Sequence, residues 1–359
     1  MTPFVSVHII SKEVTNLGVL FLDGALTSLV EAQFPNEVIV IDNGSFDPIF
    51  DLYQVYKNKF KDFDCQLKIV KSEASDFGTL RNQCIEHTNP ITTWTIWQDT
   101  DEVYYEEDLD TLKNYELVQA DGFKEVWPSF FHFIRDPFNI QVNTDCLFKK
   151  KEMTETDIRI GKDNTFRYNK NMRWVKEKKV HERVDRDSLI GYPNTHYDSN
   201  CRYLHLGYAR KQVETMVKWL HYAVLEFGNV NCYKKERVTY DKNGVEVGNQ
   251  FEGQEGYETK TVDYLRNWRD PFNIIFDRIE HCIPYPNAKF ETKQHLPQGF
   301  MKIIDGCKTS EDWFKKLDKL DPPKFELEWR DKFKELGTWE KTLDFVVDEM
   351  NKRNWNIYK

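Results

Sequence analysis

The stretch TIWQDTDEVYYEEDL, from Thr95 to Leu109, sets Asp99 and Asp101 directly after three residues that suit a strand, Thr95, Ile96 and Trp97. On an extended backbone, residues two apart point to the same side, so both carboxylates can reach one site. Two like charges that close repel each other unless a cation joins them. Oxygen donors favour Mg²⁺ or Mn²⁺ over zinc. An acidic turn between strand and helix would account for the same pair without a metal. The acids that follow, Glu106, Glu107 and Asp108, fit a solvated helix start, where negative charge suits the dipole.

Elements upstream must carry this pair to a site. FVSVHIIS (Phe4 to Ser11) is an apolar run rich in strand formers, and EVIVIDNGS (Glu37 to Ser45) is a second one that runs into turn residues at Asp42. QLKIVKS and TWTIW make a third and a fourth strand. Between them lie helical patterns: Leu17 to Gln33, with Leu20, Leu22, Ala25, Leu26, Leu29 and Val30 largely on one side; DPIFDLYQVYKNKF, with Asp47 as N-cap and Pro48 at its first position; and SDFGTLRNQCIEH, capped by Ser75 or Asp76. Strands alternating with helices predict a mostly parallel sheet with helices on both faces. Ligands in such sheets sit beyond the carboxyl ends of the strands, where Asp42 and Asp99 fall.

The order VSVHIIS, EVIVIDNGSFD, DFGTLRNQCIE, WTIWQDTDE resembles the inverting glycosyltransferases of family 2, which have the GT-A fold. KVHERV and YLHLGY are similar to segments of the bacterial core-sugar transferase branch of that family. The resemblance implies an α/β GT-A (Rossmann-like) sheet and transfer of a sugar from a nucleotide-diphosphate sugar, with a UDP-sugar as the expected donor. It implies that Ser11, Asp42, Arg81 and Asp99 bind the nucleotide, and that Asp99 and Asp101 hold Mn²⁺ or Mg²⁺. His205, in YLHLGYAR, would complete the metal site; a buried histidine bonded to backbone is the plainer account of it. Gln98, Thr100 and His8 depart from the family's usual small or apolar neighbours.

Such a reaction needs a base. If KVHERV is a strand, Val180, Glu182 and Val184 share one face, and His181 lies on the other. A carboxylate between two valines is partly desolvated, which raises its pKa toward that of a working base. Glu182 and, as its rival, His181 are the catalytic expectations; a simple ion pair is the structural alternative for Glu182. Trp97, Trp127 and Trp174 could stack on a sugar, although rings of this size are first of all core material.

The whole chain narrows the partners. It has 359 residues, 40% hydrophobic and 30% charged, as a soluble globular protein does. A net charge of −9 counts against a nucleic-acid partner, since phosphate contacts need cations. Hydroxyl acceptors on glycans or lipid-linked sugars fit better, with a modified nucleic-acid base as the outlying possibility. Seven widely spaced cysteines without a Cys-x-x-Cys pair argue against disulfides and zinc, and with the absence of a signal peptide or long apolar run they predict a cytoplasmic protein. The expected division is a GT-A domain over 1–228, a polar loop over 229–258 and a mostly helical region over 259–359, with Ala209 to Phe227 as a helix. Two other functions compete: non-catalytic carbohydrate or nucleotide binding on the same fold, and nucleotidyl transfer. The latter usually needs a glycine-rich basic loop after the first strand, where this chain has SKEVTNLG.

Overall fold

The computed structural model describes residues 3–13, 15–74, 77–120, 125–141, 155–156, 160–162, 173–175, 180–182, 196–210, 215, 235–247, 251–263, 282–284, 296–320, 332–333, 335–337 and 339–352. Its centre is four parallel strands, β1 (Val5–Ser11), β2 (Glu37–Asp42), β3 (Gln66–Lys71) and β4 (Trp94–Trp97), in the order β3-β2-β1-β4. Valine and isoleucine fill both sides of β2 and one side of β1, whose other side carries Ser6, His8 and Ile10. Val5, Val7, Ile9, Val38 and Val40 face helices α1 (Asn16–Glu31) and α2 (Pro48–Lys61). Ile39 and Ile41 face α3 (Phe77–His87) through Leu80 and Cys84. Burial on both faces is why these strands read as continuous apolar runs.

Register places the chemistry. Ser11 pairs with Asp42, and Asp42 with Lys71, so the carboxyl ends of β1, β2 and β3 finish level. Beyond β4 the sheet changes character. β5 (Glu102–Tyr104), β6 (Glu125–Ile134), β7 (Asn139–Gln141), β8 (Glu155–Thr156) and β9 (Ile160–Lys162) extend it; β9 runs antiparallel to both β4 and β6. The result is a mixed sheet: parallel at its centre, antiparallel toward one edge.

β10 (Arg173–Val175) and β11 (Val180–Glu182) form an antiparallel pair in which Arg173 faces Glu182 and Trp174 faces His181. β12 (His196–Tyr208) is much longer than the short strand expected for RYLHLG, because it pairs with β6 along most of its length and with β5. The stretch predicted as a polar loop over 229–258 contains most of a three-stranded antiparallel sheet, with β13 (Lys235–Tyr240) between β14 (Glu246–Val247) and β15 (Glu258–Asp263). Alternation there is carried by threonine, lysine and glutamate, so no apolar periodicity marks it. β16 (Cys282–Pro284) joins the main sheet beside β7. Of the helix expected from Ala209 to Phe227, Ala209 and Arg210 form a bend, Thr215 is helical and the remaining residues lie outside the described ones.

Two C-terminal helices, Gln298–Ile303 and Ser310–Leu320, pack on the main body. Helix Gln298–Ile303 crosses α1 at a glycine pair: a Cβ on Gly299 would lie 2.0 Å from the Gly24 carbonyl oxygen. Phe300, Ile303 and Ile304, with Trp313 and Leu317 of helix Ser310–Leu320, share a core with Leu17, Phe21, Val103, Leu204 and Leu206. Helix Trp339–Lys352 follows. Among the described residues no helix is long and apolar enough to cross a membrane.

Candidate active site

Asp42 ends β2 with a buried side chain. Its Oδ1 accepts from the backbone N–H groups of Gly44 and Ser45, both at 3.1 Å, and Oδ2 accepts from the Tyr53 hydroxyl at 3.0 Å. Asp42 thus shapes the turn after its own strand. Gly44 takes φ +88° in that turn, which glycine adopts without strain. The Asn43 amide bonds the carbonyls of Ser72 and Ala74, at 3.1 and 3.0 Å, tying the turn to the end of β3. Burial raises the pKa of the Tyr53 phenol, and the Asp42 charge adds to it. Ser11 is buried beside this turn, its hydroxyl 3.3 Å from that of Ser45.

The two carboxylates that opened the sequence analysis do not continue a strand. β4 stops at Trp97, and Asp99 to Asp101 form a turn closed by the Glu102 N–H bonding the Asp99 carbonyl at 3.2 Å. The alternation argument therefore does not apply, and the two side chains take different partners. Asp99 accepts from the Arg81 guanidinium at 2.8 Å, where Arg81, on α3, is almost wholly buried. Asp101 meets Arg210 at 3.4 Å through one oxygen and His205 Nε2 at 3.5 Å through the other. Trp97 is buried beneath the turn, as core material.

His205 reaches Asp101 because of sheet pairing. β5 begins at Glu102, just after the turn, and β12 lies antiparallel to it with His205 opposite Glu102. The Leu206 N–H then donates to the Asp101 carbonyl at 2.8 Å. The register of β12 against β6 shifts between His205 and Tyr208, a bulge of the kind that re-aims side chains beside sites. On the ring's far side, His205 Nδ1 lies 3.0 Å from His132 Nδ1. An unprotonated Nε2 and a carboxylate oxygen 3.5 Å apart are two acceptors, which a proton or a cation must join. A carboxylate oxygen and an imidazole nitrogen are donor types that suit a divalent cation such as Mn²⁺. Among the described residues no group of three histidine, cysteine or acidic side chains is placed to hold one unaided.

Structure brings together Ser11, Asp42, Arg81, Asp99, Asp101 and His205 at the carboxyl ends of β1, β2 and β4 and the facing part of β12. Glu182 and His181 lie on β11 as expected; their side chains, with those of Trp127 and Trp174, are outside the described residues. Two participants escaped the sequence reading. Arg210 looked like the start of a helix, yet its guanidinium lies over the Phe21 ring at 4.8 Å and meets Asp101. Glu13, in the SKEVTNLG stretch after β1, drew no reading of its own, yet it is buried.

Residues 14–183 match the family described as Glycosyl transferase family 2. This segment belongs to that family. No curated protein matches the chain by sequence. Among solved structures, the S. aureus TarS fragment 1-349 is similar at 15% identity and TM-score 0.32, over 62% of this chain and 66% of that one. The mannosyltransferase PcManGT from Pyrobaculum calidifontis, in complex with GDP-Man and Mn2+, is similar at 18% identity and TM-score 0.29, over 35% of each chain. 4-Diphosphocytidyl-2C-methyl-D-erythritolsynthase from Anaerococcus prevotii DSM 20548 is similar at 12% and 0.32, over 55% of this chain and 90% of that one. The chain thus aligns with under two thirds of the first two proteins, and scores this low leave function to the site itself. Within the family 2 segment fall Asp42, Arg81, Asp99, Asp101, Glu182 and His181, while Ser11, His205 and Arg210 lie outside its ends.

Proposed function

We propose that the protein is a glycosyltransferase that moves a hexose or pentose from a nucleotide-diphosphate sugar to an acceptor hydroxyl with inversion, aided by Mn²⁺ or Mg²⁺. The observation that carries this reading is the convergence of Asp42, the Arg81–Asp99 pair and the Asp101–His205–Arg210 cluster at one end of the sheet of a family 2 segment. The turn after β2, held by Asp42, and the end of β1 at Ser11 form the nucleotide side. Arg81 holds Asp99 in place, and Asp99 would bind the nucleotide. Asp101 and His205 would hold the cation, with the donor diphosphate supplying the remaining oxygens. When bound, the cation would neutralise charge building on the departing diphosphate.

Arg210 holds the Asp101 carboxylate by the oxygen that does not face His205. Glu182 on β11 is the expected base: it would take the acceptor hydroxyl's proton as that oxygen attacks the anomeric carbon opposite the leaving diphosphate. His181 is the rival base. A UDP-sugar is the expected donor; the PcManGT complex with GDP-Man and Mn2+ makes GDP-mannose the second nucleotide sugar to try. A glycan or lipid-linked sugar is the expected acceptor, and the cytoplasm the expected setting.

Calorimetry with UDP and GDP, with and without Mn²⁺, tests this directly, together with hydrolysis of a panel of nucleotide sugars. A binding site built from two protein donors predicts weak Mn²⁺ binding alone and cooperative binding with nucleotide. Failure of every nucleotide and nucleotide sugar to bind would refute the proposal. Glu182→Gln should lower turnover about 10²- to 10⁴-fold with donor affinity unchanged; turnover near wild type would move the base to His181.

A further inference from the structure

Glu13 stands two residues beyond β1 and is buried, although it is a carboxylate in a loop. Burying an ionised group is costly unless it is paired or hydrogen-bonded, so its contacts must answer for it. One carboxylate oxygen, Oε1, accepts from the hydroxyl of Thr100, the middle residue of the Asp99–Asp101 turn. Its backbone N–H donates to Ser45 Oγ at 2.9 Å, and its carbonyl accepts from the Phe46 N–H at 3.0 Å. The residue is therefore bonded to the turn after β2 through its backbone and to the turn after β4 through its side chain.

The first turn of α1 is shaped around the same carboxylate. A Cβ on Gly18 would lie 1.9 Å from Glu13 Oε2 and 3.2 Å from Glu13 Cβ. Glycine is a poorer helix former than alanine, so the helix forgoes stability at Gly18 and leaves room for Glu13. The same turn is capped by Thr15, whose hydroxyl accepts from the Gly18 N–H at 3.1 Å. A carboxylate beside a helix N-terminus is also favoured by the dipole.

We propose that Glu13 is a positioning residue of the donor site. It locks the turn bearing Asp99 and Asp101 to the turn shaped by Asp42, so that nucleotide and cation are received by one rigid unit. Such a link acts on affinity through preorganisation rather than through contact with the ligand. The inference rests on the glycosyltransferase reading for its ligand, but the coupling between the two turns can be measured without one.

The test uses the full chain, UDP with Mn²⁺ as the probe (GDP if only GDP binds), and amide exchange on the unliganded protein. Glu13→Ala and Thr100→Val should each weaken nucleotide binding about tenfold, and the double variant should lose little more than either, as expected for two ends of one link. Glu13→Gln keeps an acceptor oxygen and should restore most of the affinity. Gly18→Ala leaves the carboxylate in the chain but pushes it off Thr100; it should weaken binding while melting within a few degrees of wild type, which a merely structural role does not predict. In Glu13→Ala, exchange should quicken together at residues 44–45 and 99–102. Additive losses, or unchanged affinity in Glu13→Ala beside a binding wild type, would overturn the inference and leave the glycosyltransferase reading intact. If the wild type binds no nucleotide, that reading falls. The exchange experiment then decides the coupling alone: unchanged exchange in both turns overturns it.

Discussion

Asp101 is the residue on which the site turns. Its carboxylate stands between Arg210 and His205, so removing it strands a guanidinium and an imidazole together. Asp101→Ala should abolish the dependence of nucleotide binding on Mn²⁺, and calorimetry with and without the cation would show it; a variant that keeps the dependence removes Asp101 from the cation site. A different residue sets an acid limit. His8 is fully buried in β1, and its Nε2 lies 2.7 Å from the Thr88 hydroxyl, which itself donates to the Cys84 carbonyl. That hydroxyl has one proton to give, so Nε2–H donates to it. Burial, helped by the Arg81 charge, pulls the His8 pKa down from 6.5 to about 3. Between those two pH values the unfolded chain takes up a proton that the folded protein refuses. Stability therefore falls as pH drops from 6.5 toward 3, by something on the order of a few kcal/mol. His8→Leu, measured by denaturant unfolding from pH 7 to pH 4, should lose much of that slope; an unchanged slope would assign it to carboxylates alone.

At the scale of elements, β5 and β12 do the placing. Three residue pairs, Tyr104 with Tyr203, Val103 with Leu204 and Glu102 with His205, carry a late strand to the carboxyl end of an early one. Rings brace this junction: Phe130 stacks on Tyr203, and Tyr104 lies tilted against Tyr203 with centroids 5.0 Å apart. Behind it, α1 and helix Gln298–Ile303 approach as closely as two glycines permit. An alanine at Gly299 would press its methyl against a backbone carbonyl, which cannot rotate away. Gly299→Ala should cost about 1–3 kcal/mol, the usual toll of overpacking. Chemical denaturation would read it, and a cost below about 0.5 kcal/mol would mean that the helix simply slides.

For the molecule as a whole, the C-terminal helices are structural partners of the site rather than an appendage. Phe300, Ile303, Trp313 and Leu317 cover Leu17, Phe21, Val103 and Leu204, the residues behind α1, β5 and β12. Ion pairs and caps reinforce the seam: Lys302 to Asp23 at 2.7 Å, and the Gln298 N–H to Glu106 at 2.7 Å. Burial pushes the Glu106 pKa up, while the bonds it accepts from backbone N–H groups at Gln298 and Gly299 pull it down. Deleting residues 296–359 would bare that apolar surface to water. The truncated chain should aggregate or bind a hydrophobic dye, and in the full chain near-UV and far-UV signals should melt together. A truncated protein with an intact cooperative transition would show the helices to be dispensable.

The parallel centre was legible because each of its elements carries its own pattern. Continuous valine and isoleucine runs, Pro48 at a helix start and Gly44 in a left-handed turn are local facts that local sequence records. Asp42, Asp99 and Asp101 stood out for the same reason, since they sit at ends and turns that the strand–helix alternation predicts; Arg81, within α3, was named only through the family resemblance. What the pair at 99 and 101 would face was not local. A turn, not a strand, holds them, and their partners come from α3, β12 and the bend at Arg210. The small sheet over 235–263 was missed because its strands alternate polar residues with one another and bury little. Glu13 was missed because burial of a charge depends on what closes over it. Register between distant strands, and the packing of one helix glycine against another, are set by contacts between residues far apart in the chain. Sequence determined which elements form and where their polar ends lie; only tertiary pairing decided which of those ends meet.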